Sequence, residues 1–100
     1  MIVVAGTITM DSSKRDAFTA GLDEMQGPSR AEPGCLEYQY WLSGSRDDVV
    51  FIFEKWESDE ALELHLHAPH MELFRPIMRS AGITRFEVTK YQVSHEQALR

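Results

Sequence analysis

Three of the chain's four histidines fall within six positions, in the run Glu63-Leu64-His65-Leu66-His67-Ala68-Pro69-His70. A neutral imidazole takes protons near pH 7 and also ligates metals, so such a run invites both chemistries. On a helix, however, positions i and i+2 point about 200° apart. His65 and His67 therefore cannot grip one ion together, and the spacing argues against a metal site. His65 falls in a stripe with Leu62 and Leu66, and His70 in one with Leu73, Phe74, Ile77 and Met78, so both point inward. His67 joins Glu60 and Glu63 on the wet side. An inward histidine is either a hydrogen-bonded core residue or a general base for a phenol or enol proton.

Glu54 and Trp56 share a strand face with Val50 and Ile52. A carboxylate among apolar neighbours must find a partner. Arginine, a helix N-terminus, a histidine that it orients or a substrate hydroxyl would each serve. Phe18, Tyr38, Trp56 and Phe74, with Leu62, are core residues by default. Some of them can instead line a flat cavity between helices and sheet, suited to a planar aromatic ligand. Arg85 alternates with Phe86 and points either to exposed strand surface, to a subunit seam or into that cavity. Cys35 has no adjacent histidine and makes a poor nucleophile. No phosphate loop, dinucleotide glycine fingerprint or nucleophile elbow is present.

The elements that must hold these groups follow from periodicity. Residues 2–10 are rich in β-branched side chains and read as a strand. Asp11-Ser12-Ser13 offers helix caps, Ser13 and Asp16 resemble a capping box, and Phe18, Leu22 and Met25 mark a helix that stops near Gly27-Pro28 or slightly later. Residues 35–43 alternate as a strand, with Leu36, Tyr38, Tyr40 and Leu42 on one side. Gly44–Asp48 makes a hairpin loop into a strand over 49–57. Ser58 caps a helix that runs to about His67, resumes after Pro69 and is disturbed at Pro76. Residues 83–93 form the last strand, and 94–100 a trailing tail.

The order β-α-β-β-α-β predicts a ferredoxin-like α+β fold: a four-stranded antiparallel sheet with two helices on one face. The run Val49-Val50-Phe51-Ile52-Phe53 is apolar on both sides, and Trp41 lies opposite Tyr38 and Tyr40, so the uncovered face also needs a cover. A second copy of the chain supplies it, which predicts a homodimer.

One hundred residues with sixteen acidic and ten basic side chains, net charge −6, make one small acidic domain, its core spanning 2–93. That size excludes separate cofactor and substrate domains, and the acidic balance excludes nucleic acid as a partner. A single cysteine forms no internal disulfide, and the expected location is cytoplasmic. Met1–Ala5 is too short and too lacking in basic residues for a signal peptide or membrane span.

Glu32-Pro33-Gly34-Cys35-Leu36-x-Tyr38, then Glu54-x-Trp56, then Ala61-Leu62-x-x-His65-Leu66-x-x-Pro69-His70 with Phe74, resemble the antibiotic biosynthesis monooxygenase family. The resemblance covers about residues 2–93, and its specific part lies in 32–74. It implies a dimeric α+β barrel that oxygenates electron-rich phenols, quinols or anthrones with O2, and no flavin, haem or metal. On that model His65, with His70 nearby, supplies the base; Tyr38 and Trp56 shape the pocket; Arg85 stabilises the substrate anion. The chain departs from the family pattern in having no asparagine, which the polyketide oxygenases and the haem-degrading branch place beside a tryptophan. Arg75 stands where the haem-degrading branch has its iron-ligating histidine, and His65 where it has a helical tryptophan. Haem chemistry is therefore disfavoured, and a quinol or unassigned aromatic substrate preferred. Two other activities fit the same residues: a non-catalytic ligand-binding dimer, and an isomerase that moves a proton beside a carbonyl.

Overall fold

β-Branched side chains fill Ile2–Thr9, and this segment forms β1, a central strand of the computed structural model, which describes residues 1–100. A 3-10 turn at Ser12–Lys14 leads into α1 (Arg15–Arg30); β2 (Cys35–Leu42) and β3 (Val49–Trp56) follow as a hairpin. The helices α2 (Asp59–Leu66) and α3 (Pro69–Arg79) come next, and β4 (Arg85–Gln92) closes the chain of elements. All strand pairs are antiparallel, in the order β2-β3-β1-β4. This is the ferredoxin-like α+β fold expected from the element order. No helix is long and apolar enough to cross a membrane.

Alternation decides the inner face. Ile2 and Ile8 of β1, Val50 and Trp56 of β3 and Tyr38 of β2 are buried against Phe18, Leu22 and Met25 of α1 and Ala61 and Leu62 of α2. Each such large apolar side chain contributes roughly 1.5–3 kcal/mol by leaving water. Gly6 sits mid-strand opposite both Ile52 and Val88. A Cβ there would lie 1.9 Å from the Glu87 carbonyl oxygen, so the bare backbone is what lets β4 close on β1. Gly34 has φ +84°, and a Cβ on it would lie 2.7 Å from that of Ala61. It turns the chain from α1 into β2 beneath the start of α2.

The second helical stretch breaks at His67 and Ala68, as expected, and Pro69 opens α3 at its first position. Other expectations are corrected in detail. Pro76 lies inside α3 without ending it. The Ser13 and Asp16 capping box does not form: Asp11 caps the 3-10 turn through Ser13, and Lys14 precedes α1 with no side-chain cap. A bulge between Cys35 and Glu37 inserts one residue. It turns Leu36 out to solvent and brings Cys35 to the edge of the core, reversing the alternation at the start of β2. Leu73 likewise lies on the exposed side of α3, outside the stripe assigned to it.

The opposite face of the sheet carries no helix. Trp41 and Phe51 are cross-strand neighbours there, 50% and 42% exposed, and Tyr91 of β4 is 50% exposed.

Candidate functional site

Ser58 caps α2 by accepting the Ala61 backbone N–H at 3.1 Å, and that cap fixes which side of α2 meets the sheet. Two turns on, His65 is 2% exposed, stacked at a tilt on Trp56 with ring centroids 4.7 Å apart, and met edge-on by Tyr38 at 5.3 Å. Its Nδ1 lies 2.6 Å from Oε2 of Glu32, in the loop after α1. The same oxygen lies 2.9 Å from Nε2 of His70 in the first turn of α3. A carboxylate oxygen accepts, so His65 Nδ1–H and His70 Nε2–H both donate to Glu32. In the neutral imidazole this leaves His65 Nε2 as an acceptor, an assignment that follows from the Glu32 contact.

His65 Nε2 faces the other carboxyl of the site: Glu54 Oε1 is 3.9 Å away. Glu54 receives one hydrogen bond, from the Trp56 indole N–H at 3.0 Å, and its side chain is 13% exposed. No cation neutralises it. Burial, with Glu32 nearby adding like charge and the Trp56 bond opposing, raises its pKa from 4.5 to about 7. His65 shifts the other way: burial lowers its pKa, against the pull of Glu32. The Tyr38 phenol is raised, first by burial and then by Glu54. At neutral pH the pair is thus an uncharged imidazole beside a carboxyl poised between its two forms.

Both groups line one cavity of about 360 Å³ between sheet and helices. Val4, Ile8 and Ile52 form its sheet side; Phe18, Leu62 and Phe74 close it from the helices. Phe86, Val88 and Lys90 of β4 line it too, with Lys90 paired to Asp59. Of the residues proposed from sequence, Phe18, Tyr38, Glu54, Leu62, His65 and Phe74 meet at this cavity. Trp56 is fully buried behind His65 and Glu54 as their support. His70 is half-buried and reaches Glu32, not the cavity. Arg85 requires correction: the register that aims Phe86 and Val88 inward turns Arg85 to the outer face, 69% exposed and paired with Glu87. Lys90 is the cation on the cavity side.

Glu32 was not identified as a site residue from sequence. It lies in an aperiodic loop, and its one available signal was its place beside Pro33-Gly34. The i, i+2 spacing does separate His65 from His67, which points outward and is 72% exposed. That spacing says nothing of His65 and His70, which the break at Ala68 brings to one oxygen. Arg75 bonds Glu72 and the Leu66 carbonyl on the surface. Cys35 is half-buried, and burial and the neighbouring carboxylates Glu32 and Glu54 push its thiol up to about 11, away from nucleophilic use.

The chain is similar to the uncharacterized protein sll1783 of Synechocystis, with 31% identity over 98% of this chain and 67% of that protein. The solved structure of Rv0793 from Mycobacterium tuberculosis superposes with a TM-score of 0.86 at 30% identity, over 97% of this chain and 98% of that one. A structure from Deinococcus radiodurans matches with a TM-score of 0.88 over 100% of this chain and 99% of that one; at 21% identity it speaks for the fold alone. The family model described as antibiotic biosynthesis monooxygenase matches residues 1–76. With that match over three-quarters of its length, and with the helix-covered cavity its four strands build, the chain belongs to the antibiotic biosynthesis monooxygenase family.

Proposed function

We propose that the protein is a cofactor-independent monooxygenase that oxidises a small phenol, quinol or anthrone-type substrate with O2. The observation that carries this reading is the 3.9 Å gap between His65 Nε2 and Glu54 Oε1 at the wall of an apolar cavity. A hydroxyl oxygen seated about 2.8 Å from both atoms completes a near-right-angled triangle of hydrogen bonds. It donates to the imidazole and accepts from the carboxyl in its protonated form. The cavity volume is at the small end for ligand sites and suits a planar substrate of two or three rings.

The electrons come from the substrate. For an anthrone in its enol form, His65 Nε2 takes the hydroxyl proton while Glu54 donates a hydrogen bond to the developing oxyanion. The anion passes one electron to O2, and the resulting carbon radical and superoxide combine as a peroxide at the ring carbon. The imidazolium returns its proton to that peroxide. Loss of water then converts the original CH2 to a carbonyl, one oxygen atom entering the product and the other leaving as water. The chain's part is to deprotonate, to hold the ring flat and to keep water from the radical pair.

A second copy of the chain, packed on the sheet face that carries Trp41, Phe51 and Tyr91, would complete the molecule as a homodimer. The support is that exposed aromatic face, unusual on a monomer. The lone cysteine fits a cytoplasmic setting.

Oxygen uptake on a panel of anthrones and naphthoquinols tests the reading. Wild type should consume O2 above the background rate, and His65→Ala should lose about 10²–10⁴-fold. Full turnover by His65→Ala removes the base assignment. No uptake with any member of the panel removes the oxygenase reading. The same acid and base serve proton transfer beside a carbonyl, and deuterium exchange into a small ketone without O2 uptake would mark an isomerase instead.

A further inference from the structure

We propose that Glu32, His65 and His70 form a binding site for one divalent transition-metal ion of the zinc type, and that the bound ion fixes His65 in the tautomer that cannot act as a base. Three elements converge there: the loop after α1, the end of α2 and the first turn of α3. In an unbroken helix, residues five apart would lie about 140° around the axis from one another. The break at His67 and Ala68, with Pro69 restarting the helix, is what aims His65 and His70 at the same point.

The ligand atoms are one carboxylate oxygen and two imidazole nitrogens, all within 4.8 Å of one another. Two nitrogens and one oxygen suit zinc and its first-row neighbours over magnesium or calcium, which take oxygen. Zinc bonds of about 2.0–2.2 Å place tetrahedral ligands roughly 3.3 Å apart. The Glu32 oxygen now lies 2.6 and 2.9 Å from the two nitrogens, closer than that spacing, so entry of the ion requires it to move back from both. His65 is almost wholly buried, whereas the Glu32 and His70 side chains keep 13% and 19% exposure. That combination gives an anchored ligand, two that can yield, and a path for the ion and a completing water. A carboxyl also faces the far nitrogen, though beyond hydrogen-bond distance in the metal-free chain. Glu54 lies 3.9 Å from His65 Nε2, on the side where a metal-bound histidine donates its other N–H.

The consequence for His65 follows from proton balance. Free of metal, its one proton sits on Nδ1 and Nε2 accepts. With Nδ1 on the ion, that proton moves to Nε2, which becomes a donor; His70 moves its proton from Nε2 to Nδ1 in the same way. Neither imidazole changes charge and no proton is released. The cavity then faces an N–H where it had a base. This effect on turnover rests on the role of His65 in the proposed function; the site and the tautomer do not.

Zinc sulfate titrated into chelator-treated full-length protein, followed by calorimetry and by long-range ¹H–¹⁵N spectra of the histidine rings, tests the proposal without substrate. One zinc per chain should bind, and the His65 pattern should switch from Nδ1–H to Nε2–H. Glu32→Gln and His70→Ala should each weaken binding tenfold or more, while His67→Ala leaves it unchanged. His70→Gln, which keeps a donor for Glu32, replaces the alanine variant if that variant fails to fold. Absence of stoichiometric binding, equal binding by the Glu32 and His70 variants, or an unchanged His65 tautomer overturns it. Because none of these readouts uses O2 or substrate, their failure is distinct from failure of the oxygenase reading.

Discussion

Replacing Glu54 by glutamine removes a titrating group while keeping an oxygen to accept the Trp56 indole N–H. The folded pKa of about 7 stands some 2.5 units above the ordinary 4.5, chiefly through burial. At 1.36 kcal/mol per unit, this is a cost of about 3 kcal/mol once both folded and unfolded carboxyls are ionised. The sign follows from proton binding. Between pH 4.5 and 7 the folded chain holds a proton that the unfolded chain has released, so stability falls as pH rises through that window and stays low above it. The buried His65, with its pKa lowered, contributes the opposite trend on the acid side: its stability is lost as pH falls below 6.5. That trend is common to wild type and variant, so their difference isolates Glu54. Urea unfolding at pH 4.5 and pH 8, at one fixed chain concentration so that any association is held constant, measures it. Glu54→Gln should match wild type within about 0.5 kcal/mol at pH 4.5 and exceed it by about 3 kcal/mol at pH 8. A gap that does not change with pH would refute the reasoning, because it would mean that the buried carboxyl ionises as easily as an exposed one.

Gly6→Ala places a methyl group 1.9 Å from the Glu87 carbonyl oxygen in the middle of the β1 and β4 pairing. Thermal or urea melting should show a loss of about 3 kcal/mol or more, and a change within 1 kcal/mol would show that β4 yields freely. Phe51→Asp puts a charge at the centre of the helix-free sheet face, opposite Trp41. Sedimentation should find wild type as the proposed dimer and the variant as monomer with unchanged helix and strand content; a monomeric wild type would refute the dimer, and a dimeric variant would place the subunit contact elsewhere.

Much of the fold and part of the site were legible because a two-residue period and a helical period each report a face. Val50, Ile52, Glu54 and Trp56 had to share one side of β3, and Leu62 with His65 one side of α2, so pattern gives the face of each element but not whether His65 meets a cavity or packed core. Pattern failed wherever the chain leaves its period. The bulge before Glu37 shifts Leu36 off the face that Tyr38 keeps, and alternation offers no sign of an inserted residue. β4 alternates charged and apolar residues on nearly equal terms, so its pattern leaves Arg85 open to surface, seam or cavity, and the resemblance alone assigns it the substrate anion. Only its register against β1, with Val88 opposite Gly6, says that Phe86, Val88 and Lys90 face in. Glu32 lies in a loop with no period, and its meaning depends on three elements arriving at one oxygen. Glu54 shows how the two kinds of information combine. A carboxylate in an apolar strand announces that something must answer it, and a cation or a helix end was the ordinary expectation. The cavity's one lysine is engaged by Asp59, and what reaches Glu54 is an indole N–H, which carries no charge. An acid answered only by a neutral donor keeps its proton more readily, and it stands 3.9 Å from an imidazole whose own proton Glu32 has drawn to the far side. The chemistry of the site therefore arises from a charge partner that the fold leaves out, and the sequence could name the residue but not that omission.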